Sequence, residues 1–134
     1  MERSVKNEFF KKGDVVSVPY PFSNLEDAKI RPALILAQAD TNDFVICAIT
    51  SKPGREDKIT LEDADFQTGK LPVSPSYIRP NYLFTADKNL VKRKIGELKD
   101  NKLNEVVLKL VEIIQRPPGD KPAPLKAMER AKRK

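Results

Sequence analysis

The sequence predicts a mainly β domain: a small antiparallel barrel with one C-terminal helix packed on it. Three observations carry that expectation. Between residues 15 and 98 the chain consists of short β-branched and aromatic runs separated by polar, turn-forming stretches. Two of these runs, ALILAQ (33–38) and DFVICAITS (43–51), are almost continuously apolar and lie only Ala39-Asp40-Thr41-Asn42 apart. That is the pattern of a hairpin whose strands are both well buried. Beyond residue 100 the apolar period changes to helical spacing. A length of 134 residues with 40% hydrophobic content suits one domain around one core.

Taken in order, residues 1–12 are a charged lead-in and Gly13-Asp14 is a turn signal. VVSVPYPF (15–22) is a strand whose two prolines put its end at an edge or a bend. SNLEDAK (23–29) is a polar loop. After the hairpin, KPGRED (52–57) is a charged loop, and KITLE (58–62) alternates like a half-exposed strand. Residues 63–74, with Gly69 and Pro72, read as irregular. SYIRPNYLFTAD (76–87) is a strand with a break at Pro80, and KRKIGEL (92–98) is a further short strand. Leu103, Val106, Val107, Leu110, Ile113 and Ile114 then define one helical face. Asp100 or Asn101 is the candidate cap, and Pro117-Pro118 the stop. The expected division is a domain over 1–116 and a basic, solvated tail over 117–134. SH3-like and OB-like barrels both satisfy this order, and periodicity does not choose between them.

Composition removes several kinds of chemistry. No window approaches the roughly 18 uninterrupted apolar residues of a membrane helix. The N-terminus lacks the apolar core of a signal peptide, so the cytoplasm is the expected location. The chain has no histidine, which excludes histidine acid–base catalysis and histidine metal sites. Its acids are scattered among lysines, so neither a hydrolytic metal site nor a cofactor is expected. Cys47, the single cysteine, lies inside an apolar run and reads as a small buried side chain rather than a nucleophile. Of the net charge of +6, the segment 117–134 carries +4 and residues 1–116 only +2. That balance permits nucleic-acid binding without establishing it.

The candidate chemistry sits at strand ends. Arg31 ends a polar loop, is held extended by Pro32, and is followed by a buried strand. A planar guanidinium in such a place matches two phosphate oxygens at once, or pairs with Glu26 or Asp27 in its own loop. Thr50-Ser51-Lys52 follows the second buried strand. If the two strands form a hairpin, Thr50 and Ser51 join Arg31 on one rim and offer hydroxyl donors to a phosphate. Glu26 and Asp27 lie in the loop before Arg31, and either is a candidate general base, though solvated loop acids are the commoner outcome for such residues. Tyr20 and Phe22 are candidate stacking platforms or core aromatics. Lys29, Lys52 and Arg55, with the VKRK run (91–94), are candidate contacts to an RNA backbone or simply solvated charges.

The ordered segments GDVVSVPYPFSNLEDAKIRPALIL, FVICAITSK and SYIRPNYLFTADKNLVKRKIGEL, followed by an amphipathic helix, resemble the MazF/PemK family of toxins of type II toxin–antitoxin systems. The resemblance runs from about Gly13 to Gln115. It implies an SH3-like antiparallel barrel of the CcdB/PemK type with a C-terminal helix, and a homodimer. It implies an endoribonuclease, an mRNA interferase that cuts single-stranded RNA at short sequences, and a cognate antitoxin occupying the RNA groove. The family's arginine before proline maps onto Arg31, its threonine onto Thr50 with Ser51 alongside, and its first-loop acid onto Glu26. The first loop here lacks glycines common in the family, and the tail after Pro117 is longer and more basic.

Such an enzyme uses the RNA's own 2′-hydroxyl as nucleophile and leaves a 2′,3′-cyclic phosphate and a 5′-hydroxyl, without metal. Arg31 would stabilise charge on the phosphate, being too basic to act as a ready proton carrier. Two rival readings share the fold: a gyrase-binding toxin like the CcdB relatives, and a catalytically idle relative that binds RNA or only its partner.

Overall fold

The computed structural model describes residues 10–20, 29–54 and 57–119, with Tyr20 by its backbone alone. Seven strands form one antiparallel sheet, curled into a half-barrel: β1 (Asp14–Tyr20), β2 (Lys29–Gln38), β3 (Asp43–Thr50), β4 (Ile59–Leu61), β5 (Phe66–Gly69), β6 (Ser76–Asp87) and β7 (Arg93–Leu98). Helix α1 spans Asp100–Gln115. The strand order is β4-β6-β3-β2-β1-β7-β5.

The continuous apolar runs of β2 and β3 are explained by two cores, one on each face of the sheet. Val15, Leu34, Leu36, Cys47, Ile49 and Ile78 join Val106 of α1 on the helix side. Val16, Val18, Ala33, Ile35, Phe44 and Ile46 pack on the other side against Val91 and Phe10. Neighbours along each strand therefore alternate between cores, as the β period requires. Cys47 is fully buried, and desolvation pushes its thiol up to about 12. The turn between β2 and β3 is held by Asp40, whose carboxylate accepts from the amides of Asn42 (2.9 Å) and Asp43 (3.1 Å).

Both awkward prolines are accommodated by the ladder. Lys92 N–H donates to the Ser17 carbonyl, so the odd residues of β1 face β7 here. The β1–β7 pairing ends at Ser17↔Arg93, and Pro19 points where β7 no longer needs its missing N–H. In β6, Leu83 faces Cys47 and Arg79 faces Ala48, leaving residues 80–82 without partners on β3. The fully buried Pro80 lies in that bulge, so β6 continues past the expected break.

Three expectations need correction. Residues 63–74 are not all irregular: a 3-10 turn (Asp63–Asp65) leads into β5. This short strand pairs with β7 only because two glycines meet, Gly69↔Gly96. A Cβ on Gly96 would lie 2.5 Å from the Thr68 carbonyl oxygen and 2.7 Å from the Phe66 ring. The helix cap is Lys99, with no side-chain cap bond, and not Asp100 or Asn101; both are inside α1. Ile114 is 68% exposed and lies off the buried face centred on Val106.

The Gly13-Asp14 turn ties the sheet together. Gly13, at φ +93, donates to the Ile35 carbonyl (2.9 Å) and accepts from Leu98 N–H (3.0 Å). The Asp14 carboxylate is buried and accepts from the Lys11 amide (2.9 Å) and Lys11 Nζ (3.1 Å). Glu97 completes the cluster with Lys94, Gln67 and Lys11, and these bonds hold its carboxyl down at about 2.

Two outcomes follow from these contacts. Gly96→Ala forces backbone apart and costs about 1–3 kcal/mol of unfolding free energy, read from urea midpoints. Glu97 has a folded pKa below the ordinary glutamate value of 4.5, so its contribution is complete above that value. It is lost as pH falls from about 4.5 to about 2. Urea midpoints of wild type and Glu97→Gln should therefore differ near neutrality and converge across that window.

Candidate active site

The β2–β3 register brings the candidate residues to one end of the sheet, opposite the Asp40 turn. The ladder pairs Ala33 with Ala48. Continued two residues further, it sets Arg31 across from Thr50. On its other side Arg31 pairs with Val18 of β1, and Thr50 pairs with Tyr77 of β6. The backbone of each is thus fixed by a neighbouring strand while its side chain reaches the sheet's rim.

Two adjoining cavities, each of about 300 Å³, open at this rim. Arg31 and Ser51 line the first, with Lys29, Ile30, Pro72, Val73 and Ser76. Ile30 and Val73 are more than half exposed, at 58% and 55%, and give it an apolar lip. Ser76 Oγ donates to the Val73 carbonyl (2.7 Å), which pins that wall. Among the described residues, Arg31 has no hydrogen-bond or ion-pair partner.

Thr50 lies next door. Successive strand residues point to opposite faces, so Thr50 and Ser51 enter different cavities. Thr50 shares the second with Lys52, Gly54 and Arg79. Its Oγ1 accepts from Lys52 N–H (3.1 Å), which leaves the hydroxyl proton available to a ligand. The expected single rim is therefore two pockets separated by one strand end.

Arg79 escaped the sequence reading. Its guanidinium carbon lies 4.7 Å from the centre of the Tyr82 ring, and its buried Nε has no hydrogen-bond partner. The available signal was a second Arg-Pro pair, Arg79-Pro80, repeating Arg31-Pro32. The two cavities together present Lys29, Arg31, Lys52 and Arg79, with no carboxylate among their described lining residues. Guanidinium, ammonium and hydroxyl donors thus gather at this end of the sheet, a chemistry suited to an anion.

Glu26, Phe22 and Arg55 lie outside the described residues, as does the Tyr20 side chain. Of the VKRK run, Lys94 is committed to Asp14 and Glu97, while Lys92 and Arg93 are exposed. Among the described residues no helix is long and apolar enough to cross a membrane, and no three acidic, cysteine or histidine side chains group as metal ligands.

The architecture is that of a small β protein: a curled antiparallel half-barrel with a C-terminal helix and a cationic, hydroxyl-bearing rim. The chain belongs to the family of PemK-like, MazF-like toxins of type II toxin–antitoxin systems, whose sequence model matches residues 11–114. Its fold agrees with solved structures of that kind. One is MazF (Form-I) from Deinococcus radiodurans: TM-score 0.61, 24% identity, over 80% of this chain and 97% of that one. The MazE–MazF complex (Form-III) from the same organism gives 0.62 at 23% identity, over 81% and 98%. An endoribonuclease in complex with its cognate antitoxin, from a mycobacterial species, gives 0.61 at 17%, over 81% and 97%. No curated protein matches the sequence.

Proposed function

We propose that this toxin is an endoribonuclease that cuts single-stranded RNA by internal transesterification. The observation that carries the reading is the Arg31 cavity: an arginine without a partner among the described residues lines it together with Ser51 and Lys29 at a strand end, and no described lining residue is a carboxylate. Structures of similar fold described as endoribonucleases support it. A gyrase-binding role has no need of such a phosphate-shaped pocket.

The 2′-oxygen attacks the adjacent phosphorus, the P–O5′ bond breaks, and the 2′ proton leaves to a base while the 5′-oxygen gains one. The products are a 2′,3′-cyclic phosphate and a 5′-hydroxyl. Arg31 neutralises charge on the non-bridging oxygens, and Ser51 and Thr50 donate to the phosphate from either side of the strand end. Arg79 and Lys52 hold the neighbouring phosphate in the second cavity. Glu26 is the candidate base. The chemistry needs no metal, because the substrate supplies its own nucleophile. The protein acts in the cytoplasm as a homodimer, restrained by an antitoxin whose acidic, extended segment competes for the cationic cavities. Complexes of similarly folded toxins with their antitoxins support that partner.

Arg31→Ala should lower kcat/KM on a fluorescent single-stranded RNA by about 10²–10³. Its melting temperature should hardly change, because the side chain is exposed. Thr50→Ala and Ser51→Ala should each lose about tenfold, as expected for a hydrogen bond to a charged group. Cleavage should persist in excess EDTA. Full activity in Arg31→Ala, or loss in EDTA restored by Mg²⁺, would refute the mechanism.

A further inference from the structure

The loop that carries Lys52 and Gly54 into the second cavity is tethered at both ends. Its start is fixed where Thr50 pairs with Tyr77 and Thr50 Oγ1 takes the Lys52 amide proton. Its end is Asp57, which sits at φ +56, a left-handed conformation that non-glycine residues rarely hold unless their surroundings dictate it. The surroundings here are ionic. Arg116, the residue that ends α1, donates through both terminal nitrogens to the Asp57 carboxylate, at 3.2 and 2.9 Å. Lys109 of α1 stands 3.5 Å from the same carboxylate, which is only 4% exposed. Glu112 accepts from both Lys109 (3.2 Å) and Arg116 (3.4 Å), so the two cations are themselves held in place. Burial alone would raise the Asp57 carboxyl, but the Arg116 fork and Lys109 outweigh it and hold the group below the usual carboxylate range.

Chain connectivity transmits this anchorage. Only two residues separate Gly54 from Asp57, so their Cα atoms lie within about 11 Å of one another. An ion pair on the helix end therefore limits where the cavity's Gly54 wall and the adjacent Lys52 can go.

We propose that the Asp57–Arg116 pair is a clamp between α1 and the β3–β4 loop that positions Lys52 to hold an RNA phosphate next to the scissile one. The inference rests on the ribonuclease reading and deepens it. Asp57 and Arg116 are positioning residues; neither lines the two cavities. The clamp acts on substrate capture and not on the bond-breaking step, because Thr50 and Arg31 are held by strand pairing independently of it.

The test measures kcat and KM on a single-stranded RNA across a salt series for wild type, Lys52→Ala, Arg116→Ala and the double variant. Arg116→Ala should raise KM about tenfold, the size of one charge-assisted hydrogen bond, with kcat changed less than about twofold. It should also make the salt dependence of binding shallower by about one phosphate contact, a slope change near 0.7. The double variant should be no worse than Lys52→Ala, because the clamp works through that lysine. Asp57→Asn suits the left-handed backbone and removes only the charge, so it should show a smaller KM rise even if Arg116→Ala folds poorly. Additive effects of the two alanine variants, or a lowered melting temperature with unchanged KM and salt slope, would overturn the clamp. If wild type neither binds nor cuts RNA, the clamp falls with the ribonuclease reading. If wild type cuts and Arg31→Ala does not, that reading stands and the clamp variants alone decide the clamp.

Discussion

The register between β2 and β3 is the constraint on which the rest depends. Both strands are buried on both faces, so each alternate residue is committed to one of two cores. A slip of one residue would send Leu34 and Leu36 into the core that now holds Ala33 and Ile35, and fill neither correctly. The same slip would move Arg31 off Thr50. Core packing and site geometry are therefore one choice, specified by the volumes of apolar side chains far from the chemistry.

The site is a product of where strands stop. Each cation that matters stands at a boundary between buried ladder and open rim. Arg31 precedes four buried residues of β2, and Lys52 follows β3. Arg79 precedes the β6 bulge, where the ladder is interrupted and Tyr82 becomes available to its guanidinium. A protein with no histidine gathers permanently charged donors and hydroxyls at this rim. Such groups stabilise negative charge well and move protons poorly.

The sequence made the hairpin, the helix and the Arg31 rim legible because their signals are local. Continuous apolar runs, a change of period and a strand-end polar triplet can each be recognised within a short window. What it hid depends on distant partners. Pro80 reads as a break, but three unopposed residues absorb it. β5 is only four residues long and exists because Gly69 meets Gly96, 27 positions away. Thr50 and Ser51 are adjacent in sequence, yet the pleat sends them into separate cavities. Arg79 repeated the Arg-Pro signature of Arg31, but its role emerges only with Tyr82, Thr50 and Lys52 around it. The partnership of Asp57 with Arg116 spans half the chain and has no local signature at all.

The sheet order ends on its two shortest strands, β4 with three residues and β5 with four. An exposed edge is a template for a foreign strand, and its danger grows with the number of free backbone groups in line. Here β4 covers only Ser76, Tyr77 and Ile78 of the twelve-residue β6, so among the described residues the stretch 79–87 has no strand paired along its outer edge, with Tyr82 and Leu83 exposed along it. The brevity of β4 thus concentrates the sheet's open backbone on one stretch of β6, the place where a strand from another chain would find the longest open ladder.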